Sequence, residues 1–138
     1  MNEQLERKRI ELQILFQQLT TLQNQIGALR QQIEEMYSLA ESLEEVGKTK
    51  ADTEILVPLG AGIFANAKLT NPSEVLMNVG SKVAVPKTVK ESCAIVQAQV
   101  KELEKVLLHL ENEFQSFSSR AQSMQSEMQG MLEAEDKK

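Results

Sequence analysis

Apolar residues in the first third of the chain recur every seven positions in two interleaved series. One runs Leu5, Leu12, Leu19, Ile26, Ile33, Ala40; the other, three residues on, runs Lys8, Leu15, Leu22, Leu29, Met36, Leu43. A mean spacing of about 3.5 residues keeps one stripe of a helix facing a partner along its whole length, which is the signature of a coiled coil. Lys8 alone breaks the apolar rule, in the first and fraying heptad. Glu44-Glu45-Val46-Gly47 is expected to end this helix, with Gly47 as a left-handed C-cap.

The last third repeats the pattern. Val89, Val96, Leu103, Leu110, Phe117, Met124 and Met131 form one series, and Cys93, Val100, Leu107, Phe114, Ala121 and Met128 the other. Thr88-Val89-Lys90-Glu91 reads as a capping box, the hydroxyl and the carboxylate satisfying backbone donors that have no helical partner.

Between the helices the period changes to two. Thr53-Glu54-Ile55-Leu56-Val57-Pro58 is extended and leads into Leu59-Gly60-Ala61-Gly62. Ile63, Ala65, Ala67 and Leu69 then alternate with Phe64, Asn66 and Lys68. Asn71-Pro72-Ser73 is a turn, Val75, Met77 and Val79 alternate again, and Gly80-Ser81 is the expected two-residue loop before Val83 and Val85. Pro58, Pro72 and Pro86 all lie in this insert, where they break no helix.

The fold class is thus mainly α with a small β insert: a long antiparallel coiled-coil hairpin joined by two β-hairpins. The arms have about 45 residues each, or roughly 68 Å at 1.5 Å per residue. Folding back would set Leu5 beside Met131, Leu19 beside Phe117 and Ala40 beside Val96, with both termini at one tip. The alternative is a parallel coiled coil between chains; closure within one chain is entropically cheaper because the insert tethers the arms. The expected organisation is one domain over 1–138: an N-terminal coiled-coil helix (1–47), two β-hairpins (48–87), a C-terminal coiled-coil helix (88–134) and a tail (135–138). An insert of this size buries little surface alone and exposes strand edges, so it calls for other subunits.

Composition narrows the function. A net charge of −5 gives no basis for binding a phosphate backbone, so no nucleic-acid partner is expected. One cysteine, Cys93, and one histidine, His109, exclude a Cys/His metal cluster and an intrachain disulfide, which agrees with a reducing cytoplasm. No signal peptide is evident behind Met1, and the uncharged run from Gln13 to Leu29 holds too many amides and hydroxyls to span a membrane. Gly60-Ala61-Gly62 lacks the Lys-Ser/Thr and helix of a phosphate loop, and is read as a hairpin turn. His109 lies off the seam as a solvated side chain, Cys93 fills the seam, and Glu34-Glu35 and Glu44-Glu45 are solvated helix surface. No catalytic residue, metal or cofactor is expected, and the chain is not read as an enzyme.

The run Glu54-Ile55-Leu56-Val57-Pro58-Leu59-Gly60-Ala61-Gly62-Ile63-Phe64-Ala65-Asn66-Ala67 resembles the first hairpin of alpha-class prefoldin subunits, and Val79-Gly80-Ser81-Lys82-Val83-Ala84-Val85 resembles their second. The resemblance covers the whole chain; beta-class subunits carry one hairpin. It implies a cytoplasmic hexamer of two alpha and four beta subunits on a β-barrel platform. It implies arms whose tips hold unfolded polypeptides and pass them to a group II chaperonin without ATP.

The candidate assembly residues are Ile55, Val57, Leu59, Ile63 and Ala65 in the first hairpin, and Val75, Met77, Val79, Val83 and Val85 in the second. At the tip, Ile10, Ile14 and Phe16 lie off the first seam and Leu132 off the second, while Met124, Met128 and Met131 supply flexible, polarizable seam residues near the same end. These seven are the candidate client-binding residues. The rival reading is a coiled-coil tether or scaffold, which requires neither a β platform nor apolar residues off the seam.

Overall fold

A computed structural model describes residues 3–136. Helix α1 covers Glu3–Lys48 and helix α2 covers Val89–Asp136, with strands β1 (Thr53–Gly60), β2 (Ile63–Leu69), β3 (Glu74–Gly80) and β4 (Val83–Thr88) between them. The chain divides into two compact units. A terminal unit contains the chain up to Gln32 and from Leu103 onward, and a hairpin unit spans Ile33–Glu102.

In the terminal unit the two helices run antiparallel. Lys8 pairs with Glu127, and Arg30 pairs with Glu111 at 3.3 Å, so residues later in α1 meet residues earlier in α2. Leu5, Leu15, Leu22, Ile26 and Ala121 are buried, and the other heptad positions of this unit are half-buried. Lys8, the one polar seam residue, is half-buried and its ammonium pairs with Glu127, as a long flexible stem allows.

In the hairpin unit Ile33, Leu43, Val89, Val96 and Val100 are buried. Two details differ from the heptad reading. Ser92, not Cys93, is the fully buried side chain of this part of α2, because the helix face covered here steps three residues from Val89 before stepping four to Val96. Its hydroxyl has no hydrogen-bond partner. Gly47 is no left-handed cap: α1 runs through it to Lys48, and the last turn is closed by Thr49, whose N–H donates to the Val46 carbonyl (3.2 Å) and whose hydroxyl donates to the Glu45 carbonyl (2.7 Å). Gly47 serves close approach instead, since a Cβ there would lie 3.1 Å from Val89 Cγ1. At the start of α2 the threonine half of the expected capping box is formed, the Glu91 N–H donating to Thr88 Oγ1 at 3.0 Å.

The hairpins are two separate antiparallel sheets, β1-β2 and β3-β4, built on one plan. In each, a register shift just before a glycine of positive φ (Gly60, +120°; Gly80, +117°) precedes a two-residue loop with both residues left-handed. The loops are Ala61-Gly62 and Ser81-Lys82. The second is therefore one residue later than expected, because Gly80 still pairs with Val83. Two left-handed loop residues match the right-handed twist of the strands they join. In the second hairpin Asn78 Oδ1 accepts from the Gly80 N–H at 3.0 Å, tying down the bulge. Asn71 Oδ1 accepts from Ser73 N–H, and the Ser73 carbonyl accepts from Val89 N–H (2.9 Å), which fastens the turn between the hairpins to the start of α2.

Two glycines separate helix propensity from close approach. Gly27→Ala places its Cβ in open space and should raise stability by roughly 0.5–1 kcal/mol. Gly47→Ala meets Val89, a β-branched residue with one favoured rotamer in a helix, and should fail to stabilise. Ser92→Ala should also stabilise, because no hydrogen bond is lost. Urea unfolding followed by helical circular dichroism measures all three; a Gly47→Ala gain equal to that of Gly27→Ala would contradict the close-approach role.

Candidate binding surfaces

The hairpins leave large apolar side chains uncovered. β1 and β2 pair Ile55 with Ala67 and Val57 with Ala65, placing these on one face with Thr53 and Leu69. Glu54, Leu56, Pro58, Phe64, Asn66 and Lys68 take the other. In the second hairpin Met77 pairs with Val85, and Leu76 with Pro86 on the opposite face. Of the predicted assembly residues, Ile55, Ala65, Val75, Met77 and Val85 are half-buried, whereas Val57, Leu59, Ile63, Val79 and Val83 are exposed.

The alternation missed three of the most prominent side chains. Leu76 is 73% exposed, Leu56 64% and Phe64 56%. They occupy the row that alternation assigns to polar residues. The signal was present in repetition: Glu54-Ile55-Leu56 and Glu74-Val75-Leu76 place a leucine at the same point of each hairpin. Both faces of each hairpin are therefore partly apolar, an arrangement suited to burial on two sides rather than to a solvated sheet.

On the terminal unit Ile10 (55% exposed), Ile14 (49%) and Phe16 (45%) are uncovered, as is Leu132, while Met124, Met128 and Met131 are half-buried. The first three do not share one face. At about 100° per residue, Ile10 and Ile14 are one helical turn apart on the flank away from the seam, and Phe16 lies on the other side. The structure places a shallow groove on each flank. One is lined by Ile14, Gln17, Gln18, Thr21, Leu22 and Phe117. The other is lined by Gln23, Ile26, Gly27, Arg30, Glu111, Phe114 and Gln115, and the Arg30–Glu111 pair lies across it. Neither groove was evident in the heptad pattern, because each depends on which α2 residue lies opposite. Val106 and Leu108 on α2 are further exposed apolar residues that the sequence reading did not single out. His109 is exposed, its Nε2 3.3 Å from Glu113 Oε1.

Comparison with known proteins agrees with this architecture. The Prefoldin family model, described as prefoldin subunit, matches residues 15–134. A prefoldin subunit alpha of Methanococcus maripaludis is 38% identical over 104 residues, covering 75% of this chain and 70% of that one. Prefoldin subunit alpha 1 of Methanocaldococcus jannaschii is 30% identical over 142 residues, covering 100% of this chain and 97% of that one. Among solved structures, a cryo-EM structure of filamentous PFD from Methanocaldococcus jannaschii superposes with a TM-score of 0.73 at 19% identity, covering 83% of this chain and 95% of that chain. Two long helices joined by two small antiparallel hairpins define a prefoldin fold. The chain belongs to the prefoldin family, a family of chaperone subunits that work in oligomeric complexes. Among the described residues no helix is long and apolar enough to cross a membrane.

The seam, rather than the ion pairs, should hold the terminal unit together. Lys8→Ala and Arg30→Ala remove partly exposed pairs and should each cost under about 1 kcal/mol, less at high salt. Leu15→Ala removes a buried seam side chain and should cost about 2–5 kcal/mol. Urea midpoints at low and high salt test the ranking; a larger loss from Arg30→Ala than from Leu15→Ala would reverse it.

Proposed function

We propose that this chain is an ATP-independent holdase subunit, a single prefoldin-like domain that assembles through its hairpins and grips unfolded polypeptides through its terminal unit. The observation carrying this reading is the set of large apolar side chains left in solvent on both hairpins, Leu56, Leu59, Ile63, Phe64 and Leu76 foremost. A monomer has no use for such a surface, whereas subunits closing a shared β-barrel platform would bury it. The partners are beta-class prefoldin subunits, two alpha to four beta. Clients pass to a group II chaperonin in the cytoplasm. Relatives carrying the name prefoldin subunit alpha support the class. On the terminal unit Ile10, Ile14, Phe16 and Leu132, with Met124, Met128 and Met131, supply apolar contact that demands no single client geometry.

Assembly and capture are separable. Ile63→Asp or Leu76→Asp would place an unpaired carboxylate in the platform, so the complex formed with a beta-class subunit should dissociate while helicity persists. Light scattering coupled to size exclusion reads the mass; full-size complexes in both variants would move the platform elsewhere. Replacing Ile10, Ile14 and Phe16 by Ser should instead preserve the complex and weaken suppression of aggregation of a denatured client. Full suppression at equal complex concentration would remove these residues from client capture.

A further inference from the structure

The flank that carries Ile14 combines an apolar floor with an uncharged amide rim. Ile14, Leu22 and Phe117 supply the floor, Gln17 and Gln18 stand beside it, and Thr21 completes it with a hydroxyl that already donates to the Gln17 carbonyl at 3.1 Å. Ile10 continues the same flank one turn earlier. Along α1 no charged residue occurs from Gln13 to Leu29, although a quarter of the chain is charged. The opposite flank differs, since its groove is crossed by the Arg30–Glu111 ion pair.

The chemistry of this rim selects an occupant. Each glutamine amide offers donors and an acceptor without charge. A peptide backbone offers one donor and one acceptor per residue, also without charge. In a folded protein those backbone groups are already paired with one another, whereas in an unfolded segment they are available. An anionic or cationic ligand would find no opposite charge along the floor or rim. The geometry points to this groove as a subsite for an extended segment of non-native polypeptide: Gln17 and Gln18 hydrogen-bond its backbone while Ile14 and Phe117 take its apolar side chains. Discrimination between native and non-native protein then comes from backbone availability as well as from exposed hydrophobic groups. The inference rests on the reading that the terminal unit contacts unfolded clients, and it adds a flank and a mode of contact to it.

The test uses the assembled protein and a fluorescent, reduced and alkylated lactalbumin that stays unfolded, with binding followed by anisotropy. Gln17→Ala with Gln18→Ala should weaken binding by roughly fivefold to tenfold, the loss of two modest hydrogen bonds. Gln23→Ala with Gln115→Ala, on the opposite flank, should leave it unchanged. Alanine favours the helix, so helicity by circular dichroism should hold in both. If apolar contact alone drives binding, trimming the rim at Gln17 and Gln18 leaves affinity equal or higher, and backbone capture is overturned. An Ile10→Ser, Ile14→Ser variant distinguishes the levels. If it weakens binding while the glutamine variant does not, the terminal unit still contacts clients and only the backbone subsite is lost. If neither variant weakens binding, both the subsite and the client role of this flank are wrong.

Discussion

The packing of α1 against α2 along the heptad seam is the constraint on which the other features depend. Helices alone are marginal in water, and these gain stability by burying an apolar stripe against each other. In the terminal unit Leu5, Leu15, Leu22 and Ile26 are removed from solvent; in the hairpin unit Ile33, Leu43, Val89, Val96 and Val100 are. Because the seam uses only part of each helix surface, the flanks are free to carry other chemistry. Ile10 and Ile14 remain in solvent on the flank away from the seam, beside the amide-rich run.

The hairpins have the opposite balance. Their strands are well paired internally, with matched bulges at Gly60 and Gly80 and left-handed loops at Ala61-Gly62 and Ser81-Lys82. A two-stranded sheet has no second layer of its own, however, and apolar residues on both faces stay exposed. Backbone order in the hairpins is local, while their large apolar side chains remain uncovered.

Small residues tune the approach of the helices where the hairpin unit begins and ends them. Gly47 lets Val89 come close, Ser92 is fully enclosed, and the backbone bond from Val89 to Ser73 joins helix start to hairpin turn. The unpaired Ser92 hydroxyl marks a place where steric fit prevails over polar satisfaction. In the terminal unit, by contrast, Gly27 has open space around it, so the same residue type has a different physical role in each unit.

Much of this was legible in the sequence. The seven-residue repeat determined which helix faces are buried, since a period near 3.5 leaves only one stripe to cover, and the Thr88 cap and the Asn71-Pro72 turn set local boundaries through their own hydrogen bonds. Reading Gly47 as a cap failed because a glycine near a helix end serves a left-handed turn and a close contact equally well. Only the position of Val89 decided between them. Alternation likewise assigned Phe64 to a polar row, because period two cannot identify a strand that carries apolar residues on both faces. The split of Ile10 and Ile14 from Phe16 follows from helical spacing alone, but the groove formed with Phe117 depended on which residue of α2 lies opposite each residue of α1. That is a matter of register and packing between segments far apart in sequence, and no pattern within either helix specifies it.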